Sequence, residues 1–274
     1  MQGQASEGPN PVPMVLVVKY GGAAIEASAE QDSVLADCVS LVREGHRLAI
    51  VHGGGPAIDA ALREKGIVEK RVGGLRATSL PSLKVVESVL CATVNKALVR
   101  ALLAAGVSAV GISGEDGPTL IAQQIAPRDG ESLGFVGEIV EVKPQLVATL
   151  LEEDFVPVVA PLGVAPDGST AYNINGDTAA GALAGALRAD AFVAITDVPR
   201  IRRDVADPAS AVDRLDRGEI ERWREAGLLA GGMLPKVDSA LRALETGAKR
   251  AIVAGTGPAA IRRALDGAGT EIFR

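Results

Sequence analysis

Two lysines in this sequence stand beside glycine pairs, an arrangement suited to binding phosphate. Lys19 ends an apolar run over 15–18 and is followed by Gly21 and Gly22, and Lys236 follows the glycine pair 231–232. Ammonium groups supply positive charge, and glycines let backbone N–H groups approach an anion closely. Ligands of open α/β sheets lie outside the carboxyl ends of the strands, where Lys19 is predicted to be. These residues predict a polyphosphate site.

A third candidate anion-binding element is the segment His-Gly-Gly-Gly-Pro at 52–56. It lies between a predicted buried strand at 48–51 and a helix that contains Ile58. Proline is favoured in the first helical turn, and a helix N-terminus presents free N–H groups and partial positive charge. The segment is therefore a candidate phosphate-binding turn, although the chain lacks the GxxxxGK[ST] loop.

The segment 173–178 adds a carboxylate to this set. Asn173, Asn175 and Asp177 precede a helical run over 179–188, and a single N-cap needs only one such residue. Phosphoryl transfer requires reacting oxygens held in line and positive charge around the transferred group. Lys19 and Lys236 could supply that charge, and Asp177 could hold both ammonium groups in place.

The elements that must position these residues alternate between strand and helix. Short apolar runs predict strands at 15–18, 48–51, 109–112, 156–160, 191–196 and 250–254. Helical spacing predicts helices at 28–44, from 58, at 81–105, at 144–154, from 179 and from 233. We expect a loop at 72–78 and an antiparallel hairpin within 120–142. The alternation predicts an α/β protein with a doubly wound, mainly parallel sheet.

Composition restricts the partners and the setting of the protein. The net charge of −6 and a pI of about 5.1 argue against a nucleic-acid partner. Cys38 and Cys91 both lie in apolar helical patterns, so we expect reduced core residues and no zinc site. No signal peptide and no long apolar run is evident, and we expect a cytoplasmic protein without membrane contact. Residues 1–13 are predicted to be a disordered tail.

Five blocks together resemble the amino acid kinase family, and within it the pattern looks like the N-acetyl-L-glutamate kinases. The blocks, in order, are Lys-Tyr-Gly-Gly at 19–22, Val-His-Gly-Gly-Gly-Pro at 51–56, Gly-Leu-Arg-Ala-Thr at 74–78, Asn-Ile-Asn-Gly-Asp-Thr at 173–178 and Gly-Gly-Met-Leu-Pro-Lys at 231–236. The resemblance spans about residues 14–272. It implies a three-layer αβα sandwich, with an N-terminal lobe (14–172) for amino-acid substrate and dimerisation and a C-terminal lobe (173–274) for ATP.

The resemblance also implies a reaction and roles for individual residues. ATP would phosphorylate the γ-carboxylate of N-acetyl-L-glutamate, with Mg²⁺ bridging the nucleotide phosphates and no dedicated protein metal ligand. The implied catalytic residues are Lys19, Asp177 and Lys236. The implied substrate-binding residues are Gly22, Gly54, Gly55, Arg76 and Asn173. The implied nucleotide-binding residues are Gly21, Thr196, Asp197, Val198 and Lys236.

The residues present agree with that chemistry. A glutamate-type acid has a pKa of roughly 4.3, so the attacking carboxylate is already ionised and needs no general base. Arg76 can bind the substrate α-carboxylate in a two-pronged contact that lysine cannot copy.

Some features depart from the family pattern. Arg200 stands where the family usually has glycine, and Gly255-Thr256 where it often has Asp-Gly. The proline-containing tail is unsuited to the N-terminal helix that links arginine-inhibited members into hexamers. We therefore expect a homodimer that arginine does not inhibit. The apolar stripe around 85–102 either forms the dimer interface or packs on the sheet.

Two alternatives remain at this stage. One is a sister kinase that phosphorylates aminoadipate or glutamate on an acidic carrier protein, which would need an open pocket with a basic rim. The other is a non-catalytic metabolite sensor of the same fold. Such a sensor need not retain Lys19, Asp177 and Lys236. Lys236→Ala distinguishes the two, because an enzyme should lose turnover by orders of magnitude, whereas a sensor should keep its affinity for the ligand.

Overall fold

A computed structural model describes most of the chain. The described residues are 12–21, 33–72, 74–127, 130–204, 206–229 and 232–274. Most of the predicted tail, the predicted helix start at 28–32, and Gly22 and Gly231 lie outside these ranges.

The strands, in chain order, are β1 (Val15–Tyr20), β2 (Arg47–His52), β3 (Arg71–Val72), β4 (Leu75–Arg76), β5 (Ala109–Ser113), β6 (Leu120–Gln124), β7 (Gly137–Val142), β8 (Val156–Ala160), β9 (Leu162–Val164), β10 (Ala171–Asn173), β11 (Ala191–Thr196), β12 (Arg214–Asp216), β13 (Ala251–Gly255) and β14 (Thr270–Phe273). The helices are α1 (Ser33–Arg43), α2 (Gly55–Glu64), α3 (Leu80–Glu87), α4 (Asn95–Ala104), α5 (Gln145–Glu152), α6 (Gly176–Ala186), α7 (Arg217–Glu225), α8 (Met233–Thr246) and α9 (Ala260–Leu265).

Eight strands form the central sheet, in the order β12-β14-β13-β11-β1-β2-β8-β5. All neighbours are parallel except β13 and β14. The inner strands are apolar runs because both faces of the sheet are covered. The predicted α/β class with a mainly parallel sheet is confirmed.

The central strand β1 shows how the two faces are built. Leu16, Val18 and Tyr20 belong to one hydrophobic core, and Val17 belongs to the core on the opposite face. Helices α1, α2, α3, α4 and α9 contribute to the first core, whereas α5 to α8 contribute to the second. Because side chains alternate along a strand, Lys19 shares the face of Val17 and is directed toward the second layer.

A second, four-stranded sheet has the order β10-β9-β6-β7. The predicted hairpin is its antiparallel pair β6–β7. The sequence analysis did not predict the β9–β10 hairpin, whose strands are only three residues long. The predicted loop at 72–78 was partly wrong, because β3 and β4 pair there as a short antiparallel hairpin that carries Arg76.

Two further segments differ in detail from expectation. The predicted long helix is present, but residues Ser88–Val94 between α3 and α4 form a π-helix, a type that often occurs near functional sites. The charged segment 202–230, left without elements by sequence analysis, contains β12 and α7, and Trp223 is buried there. Neither cysteine forms a disulfide, and Cys38 is buried as expected, whereas Cys91 is only half-buried.

Candidate active site

Strand β1 and helices α6 and α8 bring Lys19, Asp177 and Lys236 together at the carboxyl end of β1. The Lys19 Nζ atom lies 3.3 Å from Asp177 Oδ1. The Lys236 Nζ atom lies 3.1 Å from Oδ1 and 3.2 Å from Oδ2 of the same carboxylate. The three side chains are only 10%, 10% and 13% exposed. One carboxylate therefore holds two ammonium groups that lie far apart in the chain.

The local sequence around Asp177 fixes the position of its side chain. Asn175 is the N-cap of α6, and its Oδ1 atom accepts hydrogen bonds from the backbone N–H groups of Asp177 (2.9 Å) and Thr178 (3.1 Å). Asp177 is thus free of the capping role and lies in the first helical turn, where negative charge is favoured. Lys236 occupies the first turn of α8.

The electrostatics of this cluster favour a bound anion. Burial lowers the pKa of Lys19, and although Asp177 raises it, the nearby Lys236 lowers it further. Two ammonium groups and one carboxylate leave a net charge of +1 in a largely buried place. A phosphate oxygen brought to this cluster would neutralise that charge at low cost in lost hydration.

The glycine turns have no space for a side chain where they pass Lys19 and the wall of the site. A Cβ at Gly21 would come within 2.6 Å of Lys19 Nζ, and a Cβ at Gly54 within 2.6 Å of Leu90 Cδ2. Gly55 begins α2, with Pro56 in the first turn. Within the described part of the chain, the N–H groups of Gly54 and Gly55 have no hydrogen-bond acceptor. These donors are available to an anion.

A cavity of ≈ 190 Å³ lies next to the cluster. Its walls contain six of the residues that sequence analysis singled out, namely Lys19, Gly54, Gly55, Arg76, Asn173 and Asp177. Hydrophobic wall residues include Ile58, Leu90 and Val136. The size and lining suit a small acidic metabolite with an apolar stem.

Arg76 enters this cavity from β4 and is already paired. Its Nη1 atom forms an ion pair with Asp59 Oδ1 at 2.5 Å, and its Nη2 atom donates to the Gly55 carbonyl at 3.4 Å. Arg71 lies 3.3 Å from the other oxygen of Asp59. Burial opposes ionisation of Asp59, but the hydrogen bond and charge of Arg76, together with Arg71, keep the pKa of Asp59 below its usual value. Sequence analysis missed Asp59, for which the chain offers no local signal.

Asn173, the last residue of β10, also lines the cavity that contains Arg76. Its Nδ2 atom donates to the buried Thr78 hydroxyl at 3.1 Å, and that hydroxyl donates to the Arg76 carbonyl at 2.9 Å. This contact connects the second sheet to the segment that carries Arg76. The amide of Asn173 is thereby oriented within the cavity wall.

The predicted nucleotide residues lie at the same edge of the central sheet but outside this cavity. Thr196 ends β11, the strand paired with β1, and its hydroxyl donates to Asp197 Oδ1 at 2.9 Å. Val198 follows in the connecting bend. Arg200, which replaces the usual glycine, forms an ion pair with Asp213 at 2.9 Å. The arginine is therefore held against the next segment of the chain.

Two classes of feature are absent from the part of the chain that the structure describes. No helix there is long and apolar enough to cross a membrane. No group of three or more His, Cys, Asp or Glu side chains in that part could hold a metal ion.

Comparisons with known proteins identify the family and the relatives of this chain. A sequence model of the amino acid kinase family matches residues 14–255. The chain is 40% identical to acetylglutamate kinase of Methanopyrus kandleri, over 93% of this chain and 99% of that protein. It is 42% identical to acetylglutamate kinase of Acaryochloris marina, over 90% of this chain and 86% of that protein. The crystal structure of smu.665 from Streptococcus mutans UA159 superposes with a TM-score of 0.79 at 26% identity, covering 94% of this chain and 98% of that one.

Proposed function

The chain belongs to the amino acid kinase family, and we propose that it transfers the γ-phosphoryl group of ATP to the side-chain carboxylate of N-acetyl-L-glutamate. The product would be N-acetyl-L-glutamyl 5-phosphate, an intermediate of arginine biosynthesis. The observation that carries the proposal is the carboxylate of Asp177 between two buried ammonium groups, beside a cavity lined by the two arginines Arg71 and Arg76. Relatives named acetylglutamate kinase, similar over nearly the whole chain, support the choice of substrate.

The proposed reaction needs charge and alignment more than proton transfer. A carboxylate oxygen of the acceptor attacks the γ-phosphorus, the new O–P bond forms, and the bond to the β,γ-bridging oxygen breaks to release ADP. No proton moves, because the acceptor is ionised at neutral pH. We assign Lys19 and Lys236 to the oxygens of the transferring group and Asp177 to holding both lysines. The N–H groups of Gly22, Gly54 and Gly55 would bind the same group.

The acceptor is proposed to lie in the ≈ 190 Å³ cavity. Arg76 would bind its α-carboxylate, and Asn173 would bind a polar group of the same molecule. Because acetylation removes the positive charge of the α-nitrogen, the acceptor needs no carboxylate partner there. Asp59, which neutralises Arg76 in this structure, would share the guanidinium with the incoming carboxylate.

The nucleotide is proposed to lie along the carboxyl ends of β1 and β11, with Gly21, Lys236 and 196–198 as its neighbours. We expect the phosphates of ATP and water to supply most ligands of Mg²⁺, which prefers oxygen ligands. Both carboxylate oxygens of Asp177 face lysine and are not assigned to the metal. Bound there, Mg²⁺ would neutralise part of the phosphate charge.

We further propose a division of labour and an oligomeric state. Residues 14–172 would form the acceptor-binding lobe and residues 173–274 the nucleotide-binding lobe. The protein would be a homodimer that arginine does not inhibit. Light scattering at hexamer mass, or strong inhibition by millimolar arginine, would contradict this part of the proposal.

The test of the proposed function is ADP release with ATP and Mg²⁺. N-acetyl-L-glutamate, L-glutamate, L-aspartate and L-α-aminoadipate are compared as acceptors. We expect turnover with the acetylated acid alone. No turnover with any free acid would overturn the proposal and favour an acceptor held on a carrier protein.

A further inference from the structure

His52 is a buried histidine that the proposed mechanism does not use. Its side chain is fully buried, and it directly precedes the glycines of the phosphate turn. The Nδ1 atom lies 2.7 Å from the carbonyl oxygen of Gly53, and the Nε2 atom lies 3.2 Å from Asn95 Nδ2. A carbonyl oxygen can only accept, so the ring proton belongs on Nδ1 and Nε2 is the acceptor.

Asn95 holds the imidazole in that tautomer. Its Nδ2 atom carries two N–H groups, which are shared among three acceptors, His52 Nε2 and the carbonyl oxygens of Val158 (2.8 Å) and Ile112 (3.2 Å), so the N–H side of the amide faces the ring. Its Oδ1 atom accepts from Lys96 Nζ at 3.2 Å. The orientation of this buried amide is thus determined by the sheet.

The same surroundings keep the imidazole uncharged. Burial lowers the pKa of His52 to about 4, despite the hydrogen bond to Gly53 that raises it. A neutral ring with its proton committed to a carbonyl group is poorly suited to be a general base. Its contacts instead restrain the backbone of the turn.

We infer that His52 is a positioning residue that aims the Gly54 N–H at the transferring phosphoryl group by holding the Gly53 carbonyl on the opposite side. The C=O and N–H groups of a trans peptide point in opposite directions, so fixing one fixes the other. The Gly53 N–H donates to the Tyr20 carbonyl at 2.8 Å, which ties the turn to the end of β1. The Gly54 N–H has no acceptor in the described part of the chain.

The turn also lies against the catalytic cluster. A Cβ at Gly176 would be 3.4 Å from the His52 carbonyl oxygen and 3.8 Å from Lys19 Cε. The Gly53 Cα atom is 3.9 Å from the same position, so the backbone that His52 restrains and the Lys19 side chain both border the first residue of α6. The identity of the anion as a phosphoryl group rests on the proposed function, whereas the tautomer does not.

The first test is the tautomer itself, read by long-range ¹H–¹⁵N NMR correlations. The chain has only two histidines, and His46→Gln leaves His52 as the single signal. We expect a protonated Nδ1 and an unprotonated Nε2 at pH 7. A protonated Nε2, a charged ring or rapid averaging would overturn the inference. This measurement needs neither turnover nor a His52 variant.

The second test compares two replacements by rate. His52→Leu removes the donor, whereas the side-chain amide of His52→Asn can place N–H near the Nδ1 position. We expect His52→Leu to lower kcat about 10²-fold with KM values within about threefold, as when an oxyanion donor is lost, and His52→Asn to recover most of the rate. Melting temperature and MgADP affinity verify that each variant is folded.

His46→Gln is the matched control, since His46 is also buried but its Nδ1 accepts from Met14 N at the amino end of β1. It should keep the wild-type rate. Equal rates for His52→Leu and wild type, or equal losses in the two His52 variants, would overturn the inference. Absence of turnover in the wild type would instead overturn the proposed function and leave the NMR result to decide the tautomer.

Discussion

One carboxylate between two cations occurs twice around the candidate active site. Asp177 lies between Lys19 and Lys236, and Asp59 lies between Arg71 and Arg76. Each group carries a net charge of +1 and can accept an anion. The two carboxylates differ in exposure, since the Asp177 side chain is 10% exposed and that of Asp59 is 42% exposed, although Arg76 itself is only 9% exposed.

The difference in burial and in cation type indicates a difference in use. Charges held away from water act strongly on a phosphoryl group and need no rearrangement during the reaction. Compact ammonium groups suit that task. The planar guanidinium of Arg76 suits recognition of a carboxylate, because it can donate two parallel hydrogen bonds to it. The first group is expected to control kcat and the second KM.

The largest expected effect is that of Lys236→Ala. Losing one cation on the transferring group should lower kcat by about 10³-fold, comparable to the loss of a strong transition-state contact. Steady-state ADP release measures it. Lys249→Ala, at a 70% exposed lysine paired with Asp190, is the control and should not change the rate. If MgADP binding persists while turnover is within tenfold of wild type, Lys236 does not act on the reacting group.

Arg76→Lys should change KM and leave kcat within about threefold. A lysine cannot make the two-pronged contact, and KM for N-acetyl-L-glutamate should rise roughly 30-fold, or about 2 kcal/mol. Arg71→Lys is the comparison variant, because Arg71 also lines the cavity and pairs with the same Asp59 but is 53% exposed, and it should raise KM less than Arg76→Lys does. A fall in kcat at unchanged KM would erase the proposed distinction between the two groups.

Asp177→Asn should move the pH dependence of the rate. Burial lowers the pKa of Lys19 and the carboxylate of Asp177 counteracts it, so removing that charge lowers the pKa further. The active ammonium form is lost as pH rises through this pKa. The alkaline limb of log kcat should begin at lower pH in the variant than in the wild type, because the ammonium form is lost earlier. Asp167→Asn, in an exposed turn, should leave the profile unchanged. An unshifted limb would count against Lys19 as the titrating group.

Asp59→Asn should have the smallest effect. The amide oxygen can still accept from Arg76, but the competing negative charge is gone, so KM for the acceptor should fall about threefold at low salt, consistent with screened Coulomb interactions near a surface. The gain should shrink at 0.5 M salt. A large rise in KM would mean that Asp59 chiefly orients Arg76.

Much of the fold and part of the site could be predicted from local sequence. The apolar runs of β1, β2, β8 and β11 and the cap at Asn175 depend on neighbours a few residues away. The strands β9, β12 and β14 were missed because three or four residues hold too little periodicity to distinguish a strand from a loop. Their pairing partners, remote in sequence, make them strands.

The sequence alone determined which chemical groups this protein has and which local element carries each of them. Composition and spacing indicate a lysine after a buried strand, glycines before a helix, and an aspartate just after a helix N-cap. Only the tertiary structure decided which of these groups meet. Strand order and layer packing bring together Asp177 with Lys19 and Lys236, a contact that the sequence analysis had only hypothesised. They also pair Asp59 with Arg76 and His52 with Asn95, which no sequence pattern predicted. Contacts between residues remote in sequence leave no local pattern, because side-chain periodicity records only which face of an element is buried.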